Sequence, residues 1–221
     1  MSTTNAASEK SHKPLIAVLD YGIGNLRSAQ KGLQFVGADA QLTSDKKLIA
    51  DAQAVVLPGV GNFGACMTAL REAGLEDSVH QAINSGRPFF GICVGMQMLF
   101  ESSEESPGVA GLGIISGEIK WLPADVQRPQ MQWNRLNIKK QDDLFVGLSE
   151  NPWMYFVHSL SAVVHDQSIV VATCSYGSEL LAAIRSRNIF ATQFHPEKSA
   201  IEGLRILENF VNSCAVVAIA K

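Results

Sequence analysis

Apolar positions along this chain follow two alternating rhythms. Three short apolar runs, LIAVLDY at 15–21, AVVLPGVG at 54–61 and FFGICVG at 89–95, each stop at glycine and precede a segment with helical spacing. That is the rhythm of a parallel sheet. Two segments, LRSAQKGLQFVG (26–37) and ACMTALREAGLEDSVHQAINSG (65–86), carry apolar residues three and four apart, with glycine where each helix should end. The first half is therefore expected to be βαβα in style, with helices on both faces of the sheet. After about residue 110 the pattern changes to short β-branched and aromatic runs: GIISGEIKWL, WNRLNIKK, WMYFVHSLSAVV, SIVVATCSYG and LLAAIRSRNIFATQFHP. These predict strands, some of them antiparallel. SAIEGLRILENFVNSC (199–214) returns to helical periodicity, with an acidic residue in its first turn, and should close the domain on the sheet. The predicted fold is α/β, a central, mostly parallel sheet flanked by helices, with further antiparallel strands in the second half.

Composition adds boundaries. With 221 residues, 47% hydrophobic content and a net charge of −3, one globular domain is expected at 14–214, preceded by a polar, flexible tail at 1–13 and followed by a short extension at 215–221. No run approaches the roughly 18 apolar residues of a membrane helix, and MSTTNAASEKSHK lacks the apolar core of a signal peptide, so a cytoplasmic protein is expected. Cys66, Cys93, Cys174 and Cys214 are scattered without a CxxC pair, which argues against a zinc site and a disulfide frame. No cofactor is implied. A mildly acidic balance without a block of Lys and Arg offers no footprint for nucleic acid.

The sharpest local feature is Gly91-Ile92-Cys93-Val94-Gly95, which ends a buried strand and leads into MQMLFESSEE, whose pattern predicts a helix. This is a nucleophile elbow with cysteine in the serine position. A residue at so tight a turn is held in a strained conformation, and glycines two positions to either side remove the side chains that would collide there. Unpaired amides at the start of the following helix favour a thiolate and are able to hold an oxyanion. A small buried hydrophobe is the usual fate of a free cysteine, but that explains neither glycine. For Cys66, Cys174 and Cys214 it suffices.

A cysteine nucleophile needs a base, and the base a partner that fixes its tautomer. QFHPEKS at 193–199 supplies both: in an extended segment His195 and Glu197, two apart, lie on one side, and Pro196 stiffens the presentation. Of the other histidines, His12, His80 and His165 are expected to face solvent, whereas His158 is harder to set aside.

Together GICVGMQ and FHPEKS resemble the class I glutamine amidotransferase domain of the triad type, with similarity from about Pro14 to Cys214. DYGIGNLRSA, PGVGNFG, PQMQWN and YFVHS narrow the resemblance to the glutaminase subunits of the histidine pathway. It implies attack of Cys93 on the amide carbon of glutamine, proton transfer by His195 oriented by Glu197, and hydrolysis of a glutamyl thioester. By family position the oxyanion hole uses the amides of Val94 and of Val60 or Gly61. Gln97, four residues beyond the nucleophile, and Glu105 would bind the amino-acid end of the substrate, with main-chain groups of His158, Ser159 and Leu160 completing the pocket. The implied partner is a (β/α)8-barrel cyclase that receives ammonia and joins it to an aminoimidazole nucleotide. Trp133, Asn134, Met154, Tyr155 and Phe156 are candidates for that interface, core packing being the alternative for each aromatic. The chain departs from the family at Gln132, usually glycine, and at Leu160, usually aromatic.

Other readings stay open at this level. A glutaminase subunit for pyridoxal phosphate, anthranilate or guanylate synthesis, a γ-glutamyl peptidase, and a non-catalytic regulatory module all fit the same fold class. DYGIGN and YFVHS speak against the first, and an intact triad against the last.

Overall fold

A computed structural model describes residues 13–219, with side chains to 214. Apart from Lys13, the expected tail lies outside the described residues, His12 with it. The first half contains β1 (Leu15–Leu19), α1 (Leu26–Phe35), β2 (Asp39–Thr43), α2 (Lys46–Asp51), β3 (Ala54–Gly59), α3 (Phe63–Glu72), α4 (Glu76–Asn84), β4 (Phe89–Cys93) and the single turn α5 (Val94–Gln97). The second contains β5 (Ser102–Ser103), β6 (Gly117–Trp121), β7 (Gln130–Arg135), β8 (Asn137–Ile138), β9 (Trp153–His158), β10 (Leu160–Val164), β11 (Val170–Tyr176), β12 (Ser178–Ser186), β13 (Ile189–Thr192) and α6 (Ala200–Ile219). No helix among the described residues is long and apolar enough to cross a membrane.

The main sheet runs in the order β2-β1-β3-β4-β13-β12-β11-β8. Its first five strands are parallel and the rest antiparallel. β3 and β4 are buried along their whole length, as strands between two helical layers must be. Val55, Val56 and Leu57 are fully buried, and each such side chain contributes roughly 1.5–3 kcal/mol of transfer free energy. On the helical layers α1 packs against α6 and α2 against α4. A small sheet orders β10-β6-β5, and β7 pairs with β9 as an antiparallel ribbon.

Five elements depart from the sequence reading. β2 and α2 were not expected; β2 is a polar edge strand with only Ala40 fully buried, so it lacks the apolar run of its neighbours. The helix expected over 65–86 is two, divided at Gly74, whose φ of +66° ends α3. Gly74 N–H donates to Arg71 C=O (2.9 Å) and Leu75 N–H to Leu70 C=O (3.0 Å), the paired bonds of a Schellman cap. The helix expected over 96–105 stops after one turn. Met98, Leu99 and Phe100 are fully buried rather than amphipathic, and carbonyls from Met98 to Glu101 accept from the amides of 111–115 instead of continuing a helix. Finally, the run at 153–164 breaks at Ser159, which sends β9 to β7 and β10 to β6.

Replacing Gly74 by alanine forces a Cβ into the left-handed region without a steric clash, Lys46 Nζ being 3.4 Å away. The expected cost is about 1 kcal/mol, read as a lower urea midpoint with unchanged m-value.

Candidate functional site

Cys93 ends β4 with φ 55° and ψ −112°, a conformation L-residues rarely adopt. The flanking glycines make the turn possible by different means. A Cβ on Gly95 would lie 1.8 Å from the Leu57 carbonyl oxygen, so β3 passes too close for any side chain. On Gly91 it would lie 3.1–3.2 Å from Gly95 O, Ala191 Cβ and Met96 Cα, tight but not prohibitive. Strain of this kind costs on the order of 1–3 kcal/mol and persists because the surrounding sheet fixes the turn.

β13 lies parallel to β4, with Thr192 beside Ile92, so both strands deliver their next residues to the same edge of the sheet. From β13 that delivery is Gln193, Phe194 and His195. Here the sequence reading needs correction: Pro196–Lys198 is a single 3₁₀ turn rather than an extended segment, so the turn brings the carboxylate back to the ring. His195 Nδ1 and Glu197 Oε1 are 2.8 Å apart, with side chains 2% and 3% exposed. His195 N–H donates to Tyr155 C=O (3.0 Å), while Ser199 Oγ–H donates to His195 C=O (2.6 Å) and accepts from Tyr155 N–H (3.0 Å). The loop is thereby tied to β9. α6 seats closely on it, since a Cβ on Gly203 would be 2.0 Å from Pro196 O. Burial alone would depress the His195 imidazolium, but Cys93 and Glu197 outweigh it and push the group up to about 10. Nε2 of His195 has no partner among the described residues.

A cavity of about 240 Å³ opens in front of the sulfur. It is lined by Cys93, His195, Val94, Val60, Gly61, Gln97, Glu105, His158, Ser159 and Leu160, joined by Pro129 and Val157. Glu197 stands behind His195. Glu105 Oε2 accepts from Phe63 N–H (2.7 Å), which pins the acid to the first turn of α3. Gln97 is buried and its Nε2 donates to Leu160 C=O (3.3 Å) and Gln193 Oε1 (3.0 Å). His158 is the histidine that composition left unplaced: its Nδ1 donates to the same Leu160 carbonyl (2.7 Å), and burial pushes it down to about 4, so it stays neutral. His165 is exposed, with Nδ1 3.0 Å from Ser116 Oγ, and His80 is half-buried.

Three residues that sequence reading passed over touch this machinery. Tyr21 O–H donates to Pro58 C=O (2.7 Å) and Cys66 S–H to Val60 C=O (3.5 Å), so both hold the loop that carries Val60 and Gly61. Burial pushes the Cys66 thiol up to about 11, in keeping with an unreactive role. A Cβ on Gly59 would meet Gly95 N at 2.8 Å and Tyr21 Oη at 2.9 Å, so this loop must lie directly on the elbow. Gln193 is the third, and its position two before His195 was the available signal. Cys174 and Cys214 are buried free thiols, each pushed up to about 12 by burial.

The ribbon of β7 and β9 runs outward from the cavity mouth. Its alternation corrects the interface candidates: Met154 and Phe156 point inward and are fully buried, so they belong to the core. Trp133 remains outside at 44% exposure, edge-on to Tyr155 at 6.0 Å between ring centroids, with Met131 and Trp153 also exposed and Asn134 half-buried.

A raised histidine contributes stability that is complete below its unfolded value, 6.5, and is lost as pH rises through about 10. Thermal denaturation of wild type and Glu197→Gln should therefore differ most in Tm near the acid end of that window and converge toward its alkaline end. A gap that widens with pH would contradict the ion pair.

Comparison with known proteins agrees with this geometry. The family model for glutamine amidotransferase class-I matches residues 18–214. A relative from Syntrophotalea carbinolica, imidazole glycerol phosphate synthase subunit HisH, is 46% identical over 203 residues, 89% of this chain and 98% of its own. The protein of the same name from Methanothermobacter thermautotrophicus is 48% identical over 197 residues, with the same coverages. Among solved structures, a glutamine amidotransferase (TM-score 0.72, 22% identity, 90% of this chain and 98% of that one) and PurLQS from Thermotoga maritima (0.72, 22%, 91% and 99%) share the fold. On the strength of the family match and of relatives this similar over nearly their full length, the chain belongs to the class I glutamine amidotransferases.

Proposed function

We propose that this chain hydrolyses the side-chain amide of glutamine to glutamate and ammonia and hands the ammonia to a partner subunit. One observation carries the reading: a cysteine at a positive φ on a strand end faces a buried His195–Glu197 pair across the β4/β13 register, inside a cavity of about 240 Å³.

In this mechanism Cys93 Sγ attacks the amide carbon, and the C–S bond forms as the carbonyl oxygen becomes an oxyanion. Val94 N–H, the first amide of α5, and an amide from Val60 or Gly61 hold that charge, each donor being worth roughly 3 kcal/mol. Gly61, with φ +97° and open space where a Cβ would sit, gives the loop freedom to turn an amide inward. His195, protonated and oriented by Glu197, gives its proton to the departing nitrogen, and the C–N bond breaks to leave a thioester. Neutral His195 then takes a proton from water, which attacks the thioester and releases glutamate. Gln97, Glu105 and the main chain of His158 to Leu160 line the far end of the cavity and are suited to the substrate's ammonium and carboxylate.

The relatives are named as subunits of imidazole glycerol phosphate synthase, and in our reading this chain serves that synthase in histidine biosynthesis. Its other subunit is a (β/α)8-barrel cyclase in our reading, and the exposed Met131, Trp133 and Trp153 beside the cavity mouth offer the apolar face on which it docks. Ammonia is mostly protonated at neutral pH and then not nucleophilic, so direct transfer between subunits has a chemical purpose.

Cys93→Ala is expected to lower glutaminase turnover by at least about 10³-fold while still co-eluting with the cyclase; retained activity would remove the mechanism. Trp133→Ala should weaken association with the cyclase about tenfold or more by titration calorimetry, with the triad's geometry untouched. Unchanged affinity would move the interface elsewhere.

A further inference from the structure

The mechanism above leaves one buried polar group at the nucleophile unused. Gln193 is fully buried at the end of β13, and its Nε2 lies 3.7 Å from Cys93 Sγ. We propose that Gln193 donates a hydrogen bond to the Cys93 sulfur, in a direction fixed by Gln97 and the Leu160 carbonyl, and so stabilises the thiolate. The role rests on the reading of Cys93 as nucleophile.

The direction follows from what each atom is able to do. Leu160 C=O only accepts, so Gln97 must present its NH2 there, at 3.3 Å. The same NH2 faces Gln193 at 3.0 Å, which obliges Gln193 to present its oxygen. Only the NH2 of Gln193 is then left for the sulfur. A reversed Gln193 would set two NH2 groups against each other and its oxygen against a developing negative charge. Each amide orientation is thus determined by a backbone carbonyl that cannot reverse.

An amide N–H binds a sulfur anion more strongly than a thiol, and in a buried site that preference is little diluted by water. Gln193 therefore favours the thiolate without adding a charge that would compete with His195. It acts twice in the cycle. Before attack it helps to hold the thiolate, and in the second half it stabilises the sulfur as the C–S bond breaks, the electron pair returns to Sγ and glutamate departs. The titratable groups that face Cys93 are His195, backed by Glu197, from the end of β13; Tyr21 and Cys66 from the β1 and α3 side; and His158 and Glu105 around the cavity. All remain when Gln193 is changed, so a shift on substitution belongs to the amide.

The test is the pH profile of Cys93 alkylation by iodoacetamide in the full chain, followed by peptide mass spectrometry, for wild type, Gln193→Met and Gln193→Glu. Methionine keeps the length and loses the donor, and should move the midpoint up by about one pH unit and slow alkylation near pH 7 about tenfold. Glutamate is isosteric and sets a carboxylate against the sulfur, so its shift should be larger, and it carries the test if the methionine variant does not fold. With the partner bound, kcat for glutamine should fall in both while KM changes less. Profiles that superimpose on wild type would overturn the role of Gln193 while Cys93 remains essential. Full glutaminase activity in Cys93→Ala would instead overturn the reading beneath it.

Discussion

The site depends on how closely two strands approach at the carboxyl edge of the sheet. β3 carries the Leu57 carbonyl to where a Cβ on Gly95 would be 1.8 Å away, and the turn after Cys93 closes only because nothing projects there. That approach sets the rest in order. It holds Cys93 at φ 55°, and lays the Gly59 loop against the same elbow, where a Cβ on Gly59 would touch Gly95 N at 2.8 Å. The loop that carries Val60 and Gly61 and the turn that carries Val94 are therefore a single packed unit. Strain at the cysteine is sustained by a sheet whose central strands are buried on both faces and have no room to relax.

A second constraint is electrostatic. His195 and Glu197 are nearly excluded from water, and an ion pair in such a place is tolerable only with excellent geometry and rigid surroundings. The rigidity comes from outside the pair: Tyr155 and Ser199 exchange hydrogen bonds with the His195 backbone, and α6 begins directly upon the turn. A Cβ on Gly32 of α1 would come within 3.4 Å of Glu197 Cβ, so α1 covers the acid from the other side. With Nδ1 committed to Glu197, Nε2 is the only ring nitrogen left to exchange protons.

Much of this was legible in the sequence, and the reasons differ by residue. β3 and β4 were readable because double-sided burial demands continuous apolar runs, and the elbow because backbone crowding demands glycine at 95 and favours it at 91. Those requirements are local. What was missed depends on packing partners distant in the chain. Gly74 divides what periodicity joins into one helix, because both halves present compatible apolar faces and only a positive φ marks the boundary. The single turn of α5 ends where carbonyls are claimed by amides ten or more residues away. Met154 and Phe156 look like surface residues beside Trp133 until the strand's alternation is known, after which they can only be core. Tyr21 and Cys66 act by holding the carbonyls of Pro58 and Val60, 37 and 6 residues away, respectively, and no spacing rule reveals such a bond.

The two departures from the family pattern are read differently once the geometry is known. Leu160 is nearly buried, and what the site uses from it is the main-chain carbonyl, which accepts from both Gln97 and His158. Any residue supplies a carbonyl, so loss of an aromatic side chain leaves these bonds intact and alters only the apolar wall of the cavity. Gln132 is exposed on β7 and pairs with Phe156 in register, so alternation puts it on the face opposite to that of Met131 and Trp133. Its added side chain therefore stands apart from the apolar face proposed to meet the partner. A strand's alternation separates two roles here: inward Phe156 of β9 packs on Phe194 beside His195, while outward positions of the ribbon are free to vary with the surface they meet.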